Sequence, residues 1–208
     1  MDDVSLVLYL CLSVPLLLSS GLLEKRSRLM VIFIVLGATI CLLSAQINGV
    51  ILLFADNSFD VTTNLTPVTE EIGKALPILF YAWVVSDRRE TLISAAMAEG
   101  IGFAILENSV IFVSSGSQSD VLWAVSRVFG ASLMHGICTA AVGIGISFIH
   151  KKRKLFVPGT FALLSAAMIY HGIFNALVQS PCAATAFLLP LLTYILLFLT
   201  SRKRRSLK

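Results

Sequence analysis

Long apolar runs separated by short polar joins set the pattern of this chain, and they fall at residues 4–23, 29–54, 67–85, 91–113, 121–149, 155–180 and 183–200. A helix rises ~1.5 Å per residue, so crossing a hydrocarbon layer ~30 Å thick takes about 20 residues, and each run approaches or exceeds that length. Backbone polar groups in lipid must be satisfied inside their own segment, which makes helices the expected element. The pattern predicts an all-α, polytopic transmembrane helical bundle of about seven spans. It forms a single membrane domain over 1–201, followed by a basic tail at 202–208.

The joins alternate in charge. Glu24-Lys25-Arg26-Ser27-Arg28, Asp87-Arg88-Arg89-Glu90, His150-Lys151-Lys152-Arg153-Lys154 and Ser201-Arg202-Lys203-Arg204-Arg205 are basic. Between them, 55–66 carries Asp56 and Asp60, 114–120 carries only Asp120, and 179–182 is uncharged. Basic loops are retained on the cytoplasmic side, so the amino terminus is expected outside and the carboxyl terminus inside. Composition agrees with a multi-pass protein of the cell membrane: 57% of the residues are hydrophobic, 13% are charged and the mean hydropathy is +0.88. The net charge of +4 sits in the joins rather than along one face, so it reads as a topology signal and not as a nucleic-acid surface. Cys11, Cys41, Cys138 and Cys182 have no paired C-x-x-C spacing, which argues against a disulfide framework or a thiolate zinc site. The start, Met-Asp-Asp, lacks the positive region of a signal peptide, so the first span is expected to be retained.

Charged residues inside the spans carry the chemistry, because each costs on the order of 3 kcal/mol at a helix centre and needs a partner or a purpose. In span three, Thr66 is a candidate cap with Pro67 in the first turn, and Glu70, Glu71 and Lys74 follow. Glu70 and Lys74 are four apart on one face, which allows an internal ion pair. One lysine cannot neutralise two carboxylates, however, and the remaining proton affinity is what a general base needs. Span four carries Glu99 and then Glu107 and Asn108, with Gly100 and Gly102 permitting close helix approach. Glu99 reads as structural or as hydrating a cavity. Span five carries Arg127, which can snorkel or neutralise a glutamate, and His135 four before Thr139. Span six carries His171 and Asn175, again four apart. A lone intramembrane histidine often only packs, but two of them beside spare glutamates point to function. Span direction and helical rise put Glu70, Glu71, Glu107, Arg127, His171 and Asn175 in the outer half of the bilayer, with His135 somewhat deeper.

Taken together, Glu70-Glu71-x-x-Lys74, Phe103-x-x-x-Glu107-Asn108, Arg127 leading to His135-x-x-x-Thr139, and His171-x-x-x-Asn175 resemble the four motifs of the PrsW family of intramembrane proteases. The similarity runs over 67–178, in order and on separate spans, and is most specific at 102–108. That family is related to the CAAX prenyl endopeptidases and to bacteriocin-processing or immunity-type intramembrane proteases, which share paired glutamates and the H-x-x-x-N motif. The resemblance implies an endopeptidase cutting single-span or membrane-anchored proteins near the extracytoplasmic face, with anti-sigma factors as the known bacterial target type. Spans one, two and seven carry no motif of the family.

The residues expected to carry catalysis are Glu70, Glu71, Lys74, Glu107, Asn108, Arg127, His135, His171 and Asn175. Glu70 is the favoured general base, tuned by Glu71 and Lys74, with His171 and Asn175 stabilising the oxyanion or positioning water. Two chemistries stay open. In one, Glu107, His135 and His171 hold Zn²⁺ with an open position. In the other, slightly preferred because H-E-x-x-H is absent, glutamate and histidine act without metal. Rival classes are a proton-coupled transporter or channel, which would use the same kind of Glu/Lys/His network, and a seven-span receptor; a retinal protein is disfavoured because 183–200 contains no lysine. Substrate must enter laterally or from the outer face, and Pro77 is expected to make a packing kink.

Overall fold

The structure, a computed structural model, describes residues 3–115, 121–181 and 183–206. Seven long helices follow one another: α1 (Asp3–Ser20), α2 (Lys25–Leu53), α3 (Thr66–Val84), α4 (Arg89–Ser115), α5 (Val121–Ile146), α6 (Arg153–Val178) and α7 (Leu188–Ser206). A helical turn, Ser58–Asp60, and a π-helical turn, Val61–Leu65, lead into α3, and a 3₁₀ turn, Ala183–Thr185, leads into α7. No strand occurs among the described residues, so the all-α expectation is met. Asp120 and Cys182 lie outside the described residues, as do 207–208 of the basic tail.

Among the described residues, five segments are long and apolar enough to cross a membrane: Asp3–Ser20, Lys25–Leu53, Arg89–Ser115, Arg127–Ile146 and Arg153–Val178. The seven-span expectation counts two more. Of these, Thr66–Val84 contains Glu70, Glu71 and Lys74, and the apolar part of α7, Leu188–Leu199, is short. The bundle is apolar on the outside and charged on the inside, the arrangement that lipid favours. Leu18, Phe80, Trp83 and Phe161 are two-thirds exposed or more, while Glu71, Lys74, Glu99, His135 and His171 are 1% exposed or less.

Helix α4 is the centre of the bundle. It packs on α5 and α2, while α3 spans from α2 to α5 and α6, α1 lies against α2, and α7 lies against α5. Small residues make these approaches possible, since association in lipid relies on close packing rather than on apolar burial. Gly37 of α2 sits against the Glu99 carbonyl, and Gly102 of α4 against the Ile34 carbonyl, so the two backbones meet at matched glycines. Gly100 sits on the other side of α4, against the His135 carbonyl of α5. That contact fixes the register of α4 and α5 and sets Glu107, two turns further on, beside the His135 ring.

The entry to α3 differs from expectation. Thr66 makes no cap; the position before the helix is Leu65, itself helical at φ −91° and ψ −43°. The π turn runs straight into α3, so there is no free helix start for a threonine to cap. Pro67 does occupy the first turn, and Pro77 lies within an unbroken helix.

Replacing Gly37 or Gly102 with valine is expected to force α2 and α4 apart and to destabilise the protein by about 1–3 kcal/mol. Thermal unfolding in detergent checks this, with Gly49→Ala as the control, because a Cβ at Gly49 meets nothing within 4 Å.

Candidate active site

The acidic, basic and imidazole side chains of four helices form one continuous polar chain. Its middle is the ion pair between Lys74 Nζ and Glu71 Oε1, 2.6 Å long and wholly buried. Glu71 rather than Glu70 is the partner, so the pair spans three residues of α3 instead of the expected four. On one side of it, Lys74 Nζ lies 2.9 Å from His135 Nδ1 of α5, and His135 Nε2 lies 3.2 Å from Glu107 Oε2 of α4. On the other, His171 Nδ1 of α6 lies 2.9 Å from the same Glu71 oxygen, and His171 Nε2 lies 3.7 Å from Glu70 Oε2. The chain continues through Glu70 Oε1, which accepts from Asn48 Nδ2 of α2 at 3.5 Å, and Asn48 Oδ1 accepts from Thr69 Oγ1 at 2.6 Å.

Donor and acceptor roles follow from these partners. An ammonium only donates, so His135 Nδ1 accepts from Lys74 and His135 Nε2–H donates to Glu107. A carboxylate only accepts, so His171 Nδ1–H donates to Glu71 and His171 Nε2 keeps a lone pair facing Glu70. Both imidazoles are thus oriented by a carboxylate on one nitrogen and present a lone pair at the other, the arrangement that metal-ligating histidines use. The rings lie edge to face with centroids 4.8 Å apart. Phe103 supports them, 4.8 Å from the His135 ring and with Lys74 Nζ 4.7 Å above its own.

The remaining expected residues fall around this chain. Arg127 Nη2 lies 3.7 Å from Glu107 Oε2, so it neutralises a glutamate as one of the two expected roles required, while its Nε is buried without a partner. Glu107 is the one open carboxylate of the set, its side chain 24% exposed. Asn108 is buried with Oδ1 unpartnered. Asn175 Nδ2 donates to the Thr62 carbonyl at 2.9 Å, holding α6 to the π turn, and Thr139 Oγ1 donates to the His135 carbonyl of its own helix at 2.8 Å. Glu99 is completely buried, and neither of its carboxylate oxygens has a partner.

Glu70, His135 and His171 form a group that could hold a metal, their ligand atoms all within 4.8 Å of one another. The expected trio had Glu107 in place of Glu70; Glu107 instead accepts from His135 and pairs with Arg127. The donor set suits a cation in three respects. One carboxylate and two imidazoles converge, Glu70 Oε2 is buried and free, and the chain sets three carboxylates against two fixed cations. Lys74 is the competitor, since its ammonium occupies the His135 lone pair. Asn48 and Thr69 were not among the expected site residues, and Phe103 was expected only as the start of the Phe103-x-x-x-Glu107-Asn108 motif; Asn48 was signalled by its place two residues after Gln46 in a largely apolar span.

Lys74→Met leaves Glu71 buried without its cation and is expected to destabilise the protein by about 3–5 kcal/mol. Thermal unfolding measures the loss, and adding Glu71→Gln to the same protein should recover part of it. A family model described as PrsW family intramembrane metalloprotease matches residues 25–201, which takes in every residue of the polar chain. No curated protein and no solved structure matches the chain. With the match extending over most of the 208 residues, the chain belongs to the PrsW family of intramembrane metalloproteases.

Proposed function

We propose that this intramembrane protease hydrolyses a peptide bond in a single-span or membrane-anchored substrate near the extracytoplasmic face, with Glu70, His135 and His171 holding Zn²⁺. The observation that carries this is the orientation of the two histidines, each tied to a carboxylate on one nitrogen, with the lone pair of the other accepting from Lys74 in His135 and facing the hydrogen-bond-free Oε2 of Glu70 in His171. Zinc bound there would polarise the scissile carbonyl and supply a readily deprotonated water. The amino terminus outside and the carboxyl terminus in the cytoplasm follow from the basic joins, and an anti-sigma factor is the substrate type that the motif resemblance implies.

The chain's own residues divide the work. Glu71 Oε1 holds His171 and Lys74, while Glu71 Oε2 is buried without a partner and takes the proton of the attacking water. This moves the base from Glu70 to its neighbour, because Glu70 is the carboxylate grouped with the two imidazoles. A metal held there would take the His135 lone pair, leaving Glu71 as the partner of Lys74. Arg127, whose Nε–H has no partner, meets the developing oxyanion, and its contact with Glu107 keeps the guanidinium in place. A groove of about 580 Å³ between the π turn, with Thr63 and Asn64, and α6, with Ser165, Met168 and Gly172, offers lateral entry along the helix that carries His171. Exposed Asn64 gives an unwound substrate backbone a hydrogen-bond partner there.

Reconstitution with single-span substrates tests the assignment. Glu70→Ala, Glu71→Gln and His171→Ala are each expected to lower cleavage by about 10²-fold or more. Cutting at the wild-type rate by all three would sink it. Metal analysis of the same purified proteins separates the roles: Glu70→Ala and His171→Ala should lose bound zinc, whereas Glu71→Gln keeps it while losing activity. Undiminished cleavage by rigorously metal-free protein would eliminate the zinc mechanism and return Glu70 to the role of base.

A further inference from the structure

The end of the bundle away from the active site holds a feature that proteolysis leaves unused. On α4 the two are separated by the rise from Ser94 to Glu107, about 20 Å. A cavity of about 840 Å³ opens there between the start of α2, the α3–α4 join and the α5–α6 join. Five cations line it, Lys25, Arg26, Arg88, Arg89 and Lys151, against the single carboxylate of Glu90. Lys151 is already engaged, 3.6 Å from Asp87 Oδ1 and 2.9 Å from the Asp87 carbonyl. Among the described residues the other four make no ion pair. The nearby Arg28 is different: its guanidinium is spent on the Ser20 and Leu23 carbonyls and does not reach the cavity.

Two helix starts meet at the same place. Helix α2 begins at Lys25 after Glu24, which makes no side-chain cap, and α4 begins at Arg89, where Ser86 Oγ reaches only the Arg88 N–H at 3.4 Å. First-turn N–H groups left without a cap, at the positive end of the helix dipole, favour an anion. Of the remaining wall, Leu29, Met30, Tyr81 and Val85 make an apolar side, and Ser86, Thr91 and Ser94 add hydroxyl groups. Topology accounts for cations in the joins. It puts these three joins on one face, but it does not account for a cavity that gathers their cations against an apolar side.

We infer that this cavity binds a phosphate-bearing anion, and that its occupant is the headgroup of an anionic phospholipid. The phosphate sits among Lys25, Arg26, Arg88 and Arg89, and the acyl chains follow the apolar wall. The test uses the full chain in nanodiscs of phosphatidylcholine with or without phosphatidylglycerol, read by native mass spectrometry as lipid retained after release. Three proteins are compared: wild type; Lys25→Gln/Arg88→Gln/Arg89→Gln; and Lys152→Gln/Arg153→Gln/Lys154→Gln. The last removes the same charge from a join but leaves the cavity intact. Wild type and the last variant should retain phosphatidylglycerol, and the cavity variant should bind it about a hundredfold more weakly. Inorganic phosphate is titrated against the melting temperature in phosphatidylcholine alone. Stabilisation by phosphate without retention of phosphatidylglycerol would overturn the lipid as occupant in favour of a free anion. Equal retention by wild type and the cavity variant, or equal losses in both variants, would overturn the site itself.

Discussion

The buried contact between Lys74 and Glu71 is the constraint to which the rest of the bundle is fitted. A lysine with no exposed surface, in a helix surrounded by lipid-facing neighbours, is tolerable only if its charge is met at short range and its remaining hydrogens find acceptors. Glu71 supplies the charge and His135 Nδ1 supplies an acceptor. Each of those partners then needs its own, which draws in His171 on one side and Glu107 with Arg127 on the other. The close glycine contacts serve the same end, because only helices whose backbones nearly touch bring side chains of this length together. Gly100 against the His135 carbonyl is the clearest case.

The two ends of the molecule solve opposite problems. In the interior, charge is surrounded by low-dielectric protein, so three carboxylates and two fixed cations are locked into defined positions and gain directional strength from the absence of water. At the basic end, Lys25, Arg26, Arg88 and Arg89 line an open cavity without an ion pair among the described residues, and their charge is left to act on an anion. The first arrangement is suited to chemistry on one bond, the second to reversible attraction. Helix α4 connects them, beginning in the basic cavity and carrying Glu107 in its second half.

Much of the fold could be read from the chain because lipid enforces it. An apolar run of sufficient length has helix as its available state, and an ionisable residue within such a run has few innocent explanations. The convergence of Glu70, Glu71, Lys74, Glu107, His135 and His171 followed from the same constraint. What periodicity could not supply was a choice between adjacent residues. Successive positions differ by ~100° around a helix, and long side chains reach over that angle, so Lys74 pairing with Glu71 instead of Glu70 depended on tertiary neighbours. The exchange of Glu70 for Glu107 in the metal-competent group has the same origin, since ligand distances across four helices are not encoded in spacing within one. The π turn at Val61–Leu65 lacked any residue signature, and Thr66 therefore looked like a helix start. Asn48 was visible as a polar residue in an apolar span, but its role depended on Glu70 standing beside it.

The composition of α3 bears on how the protein is made. Thr66–Val84 carries three charges within its first turns; Lys74 and Glu71 meet inside the helix, but the imidazoles that complete their hydrogen bonds, His135 and His171, are synthesised 61 residues after Lys74 and 100 residues after Glu71. When α3 leaves the ribosome, it has no stable place in lipid. It must wait in the insertion machinery or at the water boundary until α5 and α6 arrive, so the buried polar chain and the seating of this helix in the bundle are completed in a single late step.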